Sequence, residues 1–350
     1  MTRGWAQPWP ATGERPPVSG VEVSAVEVSG VEVSAGDVVG FRRRARWLGL
    51  VTILWALVGA AGCNDSFDPP SLVNHLRLVA LQADPPWVGL GPAERSVLRP
   101  KVVGVATGAP LCHAYGLCLT TASKDGSFGC LDERMLVDLG VEATAAVDGG
   151  DVLAALAGAQ RWAAEQGLSR DGAKPPSADG SGPALNVQVL VGVAEAAAFP
   201  SGCPAGIEAW LAAGCQDRDR CVIGTKTLRV ATGDSDRHNN PTLDDLLVGG
   251  HSTAAQAPPD FSPGEIALTP VWAPGSLEPI AADAASGPVK ESLTFSWFST
   301  AGTFDQQRSY DAEPDNVLTL KASDDVVDVV VVARDGRGGV VWREARLRLQ

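Results

Sequence analysis

The chain has 350 residues, and its 41 aspartate and glutamate residues outnumber its 28 lysine and arginine residues, giving a formal net charge of -13 at pH 7. An acidic balance of this size makes nucleic acids and anionic membrane surfaces poor partners. The length indicates two domains, although a single large β domain would also account for it. Composition alone therefore limits the partners and the architecture, but it identifies no ligand and no reaction.

A short repeat occupies part of the first forty residues. Residues 21–35 consist of three pentapeptides, VEVSA, VEVSG and VEVSA. Alternation of valine with glutamate or serine could form a strand, but a strand in front of an export signal has no evident use. We interpret residues 1–40 as the product of a start codon assigned too early, with Val38 or Val39 as the true start, or else as a disordered repeat.

Residues 41–62 have the organisation of a secretory signal. A cluster of arginines between Arg42 and Arg46 precedes an apolar run, residues 47–58, and small residues then lead to Cys63. The apolar run is only about a dozen residues long, against roughly 20 for a helix that spans a bilayer. An export signal is therefore the favoured interpretation, and a single-pass anchor is the alternative.

The small residues directly before Cys63 resemble the lipobox of bacterial lipoproteins. In that family a peptidase cuts before the cysteine, and the thiol then carries a diacylglycerol. Ala60 departs from the pattern, because the family usually has leucine at that position. The resemblance implies a cell-envelope protein attached to the membrane through lipid on Cys63, and Asn64 implies the outer membrane of a Gram-negative bacterium. An ordinary signal peptide with an incidental cysteine is a further alternative.

Six cysteines follow Cys63, in two groups of three. They are Cys112, Cys118, Cys130, Cys203, Cys215 and Cys221. An even number of cysteines in an exported chain predicts up to three disulfides. Full pairing needs at least one bridge between the two groups, which would make the whole span between them one domain. A metal site is the weaker interpretation, since neither group has the C-x2-C spacing of common zinc sites.

The mature chain opens with a tether and a β-rich domain. Residues 63–71 are polar and contain proline, as expected of a tether, and the first domain is predicted at 72–248. Its predicted strands are residues 75–83, 97–106, 185–194 and 222–231. The first two strands, separated by a double proline, resemble the opening of Ig-like sandwich domains in bacterial surface proteins.

The best helix prediction in the mature chain is residues 151–168. Asp151 can cap its N terminus. The apolar positions that share one face are Leu153, Leu156, Ala157 and Ala163. We expect this helix to be an insertion packed on a sheet, with a shorter helical turn at 207–213.

Residues 233–247, GDSDRHNNPTLDDLL, are rich in side chains that carry oxygen. Asp234, Asp236 and Asn239 form a weak calcium candidate, because the spacing lacks the glycine and the final glutamate of an EF-hand loop. The alternative is a turn that uses these side chains to satisfy its own backbone, with Thr242 capping a short helix. A linker between domains is predicted at 249–263.

Residues 264–350 are predicted to be a second β domain. Its strands are expected at residues 265–272, 291–299, 317–321, 326–334 and 340–349. The segments SWFSTAGTF at 296–304 and VVVVARDGRGG at 329–339 resemble PKD-like and Ig-like modules of bacterial surface proteins, a likeness that implies a core position between two sheets for Trp297. The predicted fold is therefore mainly β, with two Ig-like β-sandwich domains, the first carrying helical and disulfide-rich insertions.

Catalytic motifs are not recognisable in the sequence. It has no G-x-S-x-G elbow, phosphate-binding loop, zinc-protease helix or kinase signature, and its four histidines are scattered. Cys112 and His113 are adjacent on the chain, which rarely gives the geometry of a catalytic pair. Paired carboxylates such as Asp244 with Asp245 are interpreted as solvated charge at turns.

These observations predict a lipid-anchored, non-enzymatic envelope lipoprotein that acts as a binding or structural module without a cofactor. The expected partner, besides the membrane, is an envelope protein or a glycan, and nucleic acid is not expected. The alternative is a secreted-type hydrolase or a glycan-binding protein whose site is built from loops of residues 107–250. A cleft with an aromatic platform and a close pair of carboxylates would favour that alternative.

Overall fold

The computed structural model describes residues 71–91, 93–105, 108–122, 128–130, 136–167, 185–214, 217, 219–233, 237–254, 260–280, 289–322 and 325–350. The chain divides into two compact units, Met1–Ser66 and Phe67–Gln350, and all the described residues belong to the second. The repeat at 1–40, the signal at 41–62 and the lipid-attachment residue Cys63 lie outside the described residues. So does the tether up to residue 70.

The first half of the described chain forms a β-sandwich. Its strands are β1 (Arg77–Asp84), β2 (Trp87–Gly89), β3 (Ser96–Val103), β4 (Leu111–Cys118), β5 (Thr120–Ala122), β6 (Phe128–Cys130), β7 (Val137–Gly140), β8 (Ala145–Val147), β9 (Asn186–Glu195) and β10 (Cys221–Ala231). One sheet has the order β1-β3-β8, and the facing sheet has the order β2-β10-β9-β4-β7. Strands β1, β3 and β8 thus face β4, β9 and β10, which is the strand arrangement of an Ig-like sandwich.

The core of this sandwich follows from the alternation of valines along β9. Val187, Val189, Val191 and Val193 are all fully buried, and they pack with residues of both sheets, among them Leu98 of β3. The other face of β9 is covered by a short helix, α2 (Ile207–Ala213), whose Trp210 is also fully buried. A side chain at Gly192 would meet the indole ring of Trp210 at 2.5 Å, so only glycine lets the ring lie on the strand.

The inserted helix, α1 (Gly149–Glu165), lies between β8 and β9 and differs in detail from the prediction. Asp148 is its N-cap, and Asp151 instead closes a capping box by accepting from the backbone of Asp148. The buried face contains Val152 and Ala155, whereas Leu153 is 51% exposed. The helix therefore packs through a face of smaller residues next to the predicted apolar face, since small side chains allow a closer approach to the sheet.

The second half of the described chain forms another β-sandwich. Its strands are β11 (Leu243–Val248), β12 (His251–Ser252), β13 (Gly264–Trp272), β14 (Pro279–Ile280), β15 (Val289–Lys290), β16 (Thr294–Ser299), β17 (Thr303–Phe304), β18 (Arg308–Tyr310), β19 (Asn316–Leu320), β20 (Val326–Arg334) and β21 (Val340–Arg348). The two facing sheets have the orders β12-β11-β13-β19-β17 and β18-β16-β20-β21. The fold is thus mainly β, with two Ig-like sandwiches and helices inserted in the first.

Trp297 occupies the centre of the second sandwich, between its sheets. It is 1% exposed and belongs to a buried cluster drawn from both sheets, including Phe304 and Val331. The indole Nε1 donates to Ser309 Oγ at 2.9 Å, and that hydroxyl donates to the Pro314 carbonyl at 2.8 Å. The polar edge of the ring is therefore satisfied inside the core, as a buried tryptophan requires.

The short helix predicted after Thr242 is wrong, because residues 243–248 form strand β11. Leu243, Leu246 and Val248 are buried in the core of the second sandwich, and β11 pairs with β13 across the segment predicted as a linker. Residues 249–263 thus connect paired strands of one sheet. The division of the chain into separately folding domains remains a prediction.

Asp245 holds the turn that follows β11, so it is not simply a solvated charge. Its Oδ1 accepts from the backbone of Leu246 at 2.8 Å, from the backbone and hydroxyl of Thr253 at 3.1 Å each, and from the backbone of Ala254 at 2.9 Å. Desolvation raises the pKa of this carboxyl, but its hydrogen bonds outweigh that effect, and the net pKa is lowered.

Asp245→Ala should lower the free energy of unfolding at pH 7 by about 1–3 kcal/mol, because these donors lose a charged acceptor. A lowered folded-state pKa stabilises the protein above the unfolded-state pKa, near 4, and that stabilisation is lost as the pH falls through the folded value. The difference from the wild type should therefore shrink below about pH 4. Denaturant titration across pH measures it. Asp244→Ala is the matched control, since Asp244 is exposed, and an equal loss in both variants would contradict the assignment.

Candidate functional site

The two sandwiches pack against each other through an apolar junction. It is formed by Val79 and Ala80 of β1, Val330 and Val332 of β20 and Val340 of β21, each at most 6% exposed. Val103, Phe298 and Trp342 are partly buried and pack against this cluster. Burial of aliphatic side chains between two sheets favours a fixed arrangement of the sandwiches over free rotation.

Arg334 forms hydrogen bonds to both sandwiches at the junction. Its guanidinium donates to Ser296 Oγ within the second sandwich and to the Val79 carbonyl of the first, both at 2.9 Å. Burial, together with the positive charge of Arg308, lowers the pKa of Arg334. Because one acceptor lies in each sandwich, the buried guanidinium joins the two by hydrogen bonds.

The turn between β20 and β21, residues 335–339, docks against the first sandwich. Lys226 of β10 donates from Nζ to the Gly338 carbonyl at 2.5 Å. Asn240 accepts from the backbone of Val340 at 2.9 Å and donates to the Ala83 carbonyl at 2.8 Å. Burial lowers the pKa of Lys226 to about 8, and the negative charge of Asp335 opposes that shift. Main-chain groups of the turn are thus tied directly to the other sandwich.

Carboxylates near this turn are paired with cations or backbone donors. Glu291 is 3% exposed, and its Oε1 lies 2.8 Å from Arg337 Nη1. Glu278 lies 3.8 Å from the same guanidinium and accepts from the backbone and the side-chain amide of Asn239 at 3.1 and 2.8 Å. The group is therefore a structural network that fixes the segment before β11.

In the described part of the chain, two clefts border the junction. The first has a volume of about 190 Å³ and is lined by apolar side chains such as Val73 and by the members of two ion pairs. Lys101 Nζ lies 2.5 Å from Glu344 Oε2, and Arg346 donates to both oxygens of Asp328 at 2.7 and 3.0 Å. Since these charges are already engaged with each other, the first cleft offers few groups to a ligand.

The second cleft, which we name the Trp342 cleft, has a volume of about 450 Å³. Its walls come from three separate segments, residues 82–85, 239–243 and 341–343. An indole ring, amide side chains, a carboxylate and a guanidinium meet there, on strands and connections fixed by the junction. Concave sites with one aromatic surface and a few oriented polar groups are typical ligand sites.

The structure assigns part of the disulfide pairing. A disulfide joins Cys112 at the start of β4 to Cys203 in the connection between β9 and β10, so it links the two cysteine groups. Cys118 and Cys221 are also disulfide-bonded. The side chains of Cys130 and Cys215 lie outside the described part of the chain. Because Cys112 is in a disulfide, it cannot be the nucleophile of a pair with His113.

The calcium candidate is only partly described. Asp234 and Asp236 lie outside the described residues, and Asn239 is engaged by Glu278. Among the described residues no group of three or more histidine, cysteine, aspartate or glutamate side chains is arranged to hold a metal ion. Within the same residues, no helix has the length and apolar character needed to cross a bilayer.

The loops of residues 107–250, where a site was expected under the alternative function, contribute only residues 239–243 to the Trp342 cleft. The remaining walls come from the end of β1 and the start of β21. The first cleft, likewise, is lined by residues from both ends of the described chain. The structure thus brings together residues that sequence spacing could not associate.

No protein-family model matches the chain, and the curated proteins give no significant match. Solved structures similar to it include the fibronectin(III)-like modules of CbhA from Clostridium thermocellum, with 8% identity, a TM-score of 0.20, and coverage of 79% of this chain and 94% of that chain. The D0-D1 domain of intimin is similar with 10% identity, a TM-score of 0.19, and coverage of 77% and 98%. At such TM-scores the similarities carry no argument about fold or function.

Proposed function

We propose that the protein is a lipid-anchored lipoprotein of the cell envelope, in the outer membrane of a Gram-negative bacterium, and that its two sandwiches act as one non-enzymatic binding or structural module. Lipid on Cys63 attaches it to the membrane. Its partner in the envelope is a protein or a glycan.

The junction is the observation that supports this role. Adjacent domains usually move relative to each other unless a large apolar interface joins them. The apolar cluster, the Arg334 bridge to Val79 and the docked turn at Gly338 provide such an interface. A rigid body on a short tether can present a binding surface at a fixed place. A lid or a cleft that closes over a substrate would instead need a flexible junction.

The lipid attachment and the disulfides are tested together by the intact mass of the protein extracted from membranes without reducing agent. The expected mass is that of residues 63–350 plus a lipid increment, less six thiol hydrogens for the six cysteines after Cys63. Cys63→Ser should remove the lipid increment and release the protein from the membrane fraction. A mass that retains residues before Cys63 would contradict the anchor and favour the single-pass alternative. Free thiols would contradict the three disulfides.

A further inference from the structure

We propose that the Trp342 cleft binds an uncharged oligosaccharide. This inference rests on the proposed binding role of the two sandwiches, but it does not depend on the lipid anchor. Sugar rings present apolar C–H faces that stack on aromatic rings, and their hydroxyls both donate and accept hydrogen bonds. A site for them therefore needs a fixed aromatic ring next to polar side chains that can act in both directions.

Trp342 supplies the aromatic ring. It packs against the apolar junction cluster, which fixes it, and it also lines the cleft while remaining partly exposed. Within the described structure, no group accepts a hydrogen bond from its indole N–H. A tryptophan that is anchored by its apolar surface and keeps a free N–H offers both stacking and a directed donor to a ligand.

The polar side chains around the ring are held by internal hydrogen bonds that leave part of each group available. Gln82 donates from Nε2 to the Val340 carbonyl at 2.9 Å, so its oxygen is oriented by that bond. Arg343 donates from Nε and Nη2 to the carbonyls of residues 243 and 244 at 2.7 and 3.1 Å, which fixes the guanidinium plane and leaves Nη1 without a described acceptor. Such preorganisation reduces the entropy lost when a ligand binds.

The charges of the cleft favour a neutral ligand. Asp84 and Arg343 contribute one negative and one positive charge to its walls. The chain after residue 62 has 22 lysine and arginine residues against 36 aspartate and glutamate residues, a formal charge of -14, which repels anionic glycans. The volume of about 450 Å³ falls within the range of roughly 300–1,000 Å³ of small-molecule sites. An acid–base hydrolase needs a second carboxylate, and the described walls offer only Asp84.

The experiment uses the mature chain and a set of uncharged oligosaccharide probes, cellotetraose, maltotetraose and the tetramer of N-acetylglucosamine, followed by an array of neutral glycans. Calorimetry gives the affinity, and tryptophan fluorescence reports on the ring. At least one probe should bind, Trp342→Ala should weaken that binding at least about tenfold, and Trp342→Phe should largely retain it because the phenyl ring still stacks.

Two further variants separate binding from folding. Asp84 is exposed, so Asp84→Ala should weaken binding about threefold to tenfold without a change in melting temperature. Lys101→Ala, at the first cleft, should leave the affinity unchanged.

The inference is overturned if no neutral glycan on the array binds, or if a bound glycan is unaffected by Trp342→Ala and Asp84→Ala. Neither result would alter the mass expected for a lipid-anchored protein, so the two proposals fail separately.

Discussion

Replacing both Cys112 and Cys203 with serine should lower the free energy of unfolding by about 3–5 kcal/mol, the largest effect expected in the first sandwich. The disulfide joins residues 91 positions apart, and it ties β4 to the connection that carries α2. Its removal returns a long loop to the unfolded chain, and the entropy of that chain rises with loop length.

Guanidinium chloride unfolding of the oxidised wild type and the double variant measures this difference. Cys203 is exposed and Cys112 is 2% exposed, so serine at both positions leaves only one buried hydroxyl. The reduced wild type serves as the control, and its stability should fall at least as far as that of the variant because reduction also opens the bonds of Cys118 and Cys221. A loss below about 1 kcal/mol would mean that the bridge closes a region already ordered without it.

Nine strands of the two sandwiches could be predicted because their side chains alternate between core and solvent or form long apolar runs, whereas β4 (Leu111–Cys118), in a cysteine-containing segment, was not among the predicted strands. Every second residue along β9 is a valine that lies in the core, and the run of valines in β20 is buried on both faces, between the sheets and at the junction. The aromatic segment around Trp297 and the glycine-rich turn at 335–339 mark a strand and a hairpin in the same direct way.

Residues 242–248 and the start of α1 show where local patterns mislead. The sequence TLDDLLV suits a capped helix as well as a strand, and the choice depends on the core of the second sandwich, which takes up Leu243, Leu246 and Val248. In α1, Asp148 and Asp151 can both cap, and a capping box uses both. A side chain at Gly149 would meet the Leu90 carbonyl at 2.6 Å, so the first turn of the helix lies directly against the segment that follows β2.

The Trp342 cleft could not be predicted from the sequence, for a different reason. Its three wall segments are separated by 154 and 98 positions along the chain, and they meet only because β1 and β21 lie on the two sides of the junction. The single local sign was Trp342 itself, an aromatic residue followed by the charged Arg343 and Glu344 near the end of the chain. A site formed by the packing of two sandwiches has no local sequence motif.

Trp297→Ala should lower the free energy of unfolding by about 3–5 kcal/mol, because it empties the centre of the second sandwich. Ser309→Ala is the matched variant. It keeps the ring but leaves its N–H and the Pro314 carbonyl unsatisfied, and it should lower the stability by about 1–3 kcal/mol. Denaturant unfolding followed by fluorescence and by circular dichroism measures both.

The same experiment tests the junction, since Trp297 pairs with Val331 on β20, whose neighbours Val330 and Val332 contact the first sandwich. If the interface couples the sandwiches, the Trp297→Ala variant should unfold in one transition that includes the first sandwich. Amide exchange should then increase in β1 together with β20, because loss of the second sandwich exposes the junction face of β1. Two separate transitions, with β1 unaffected, would mean that each sandwich is stable alone and that a rigid body is not the basis of the function.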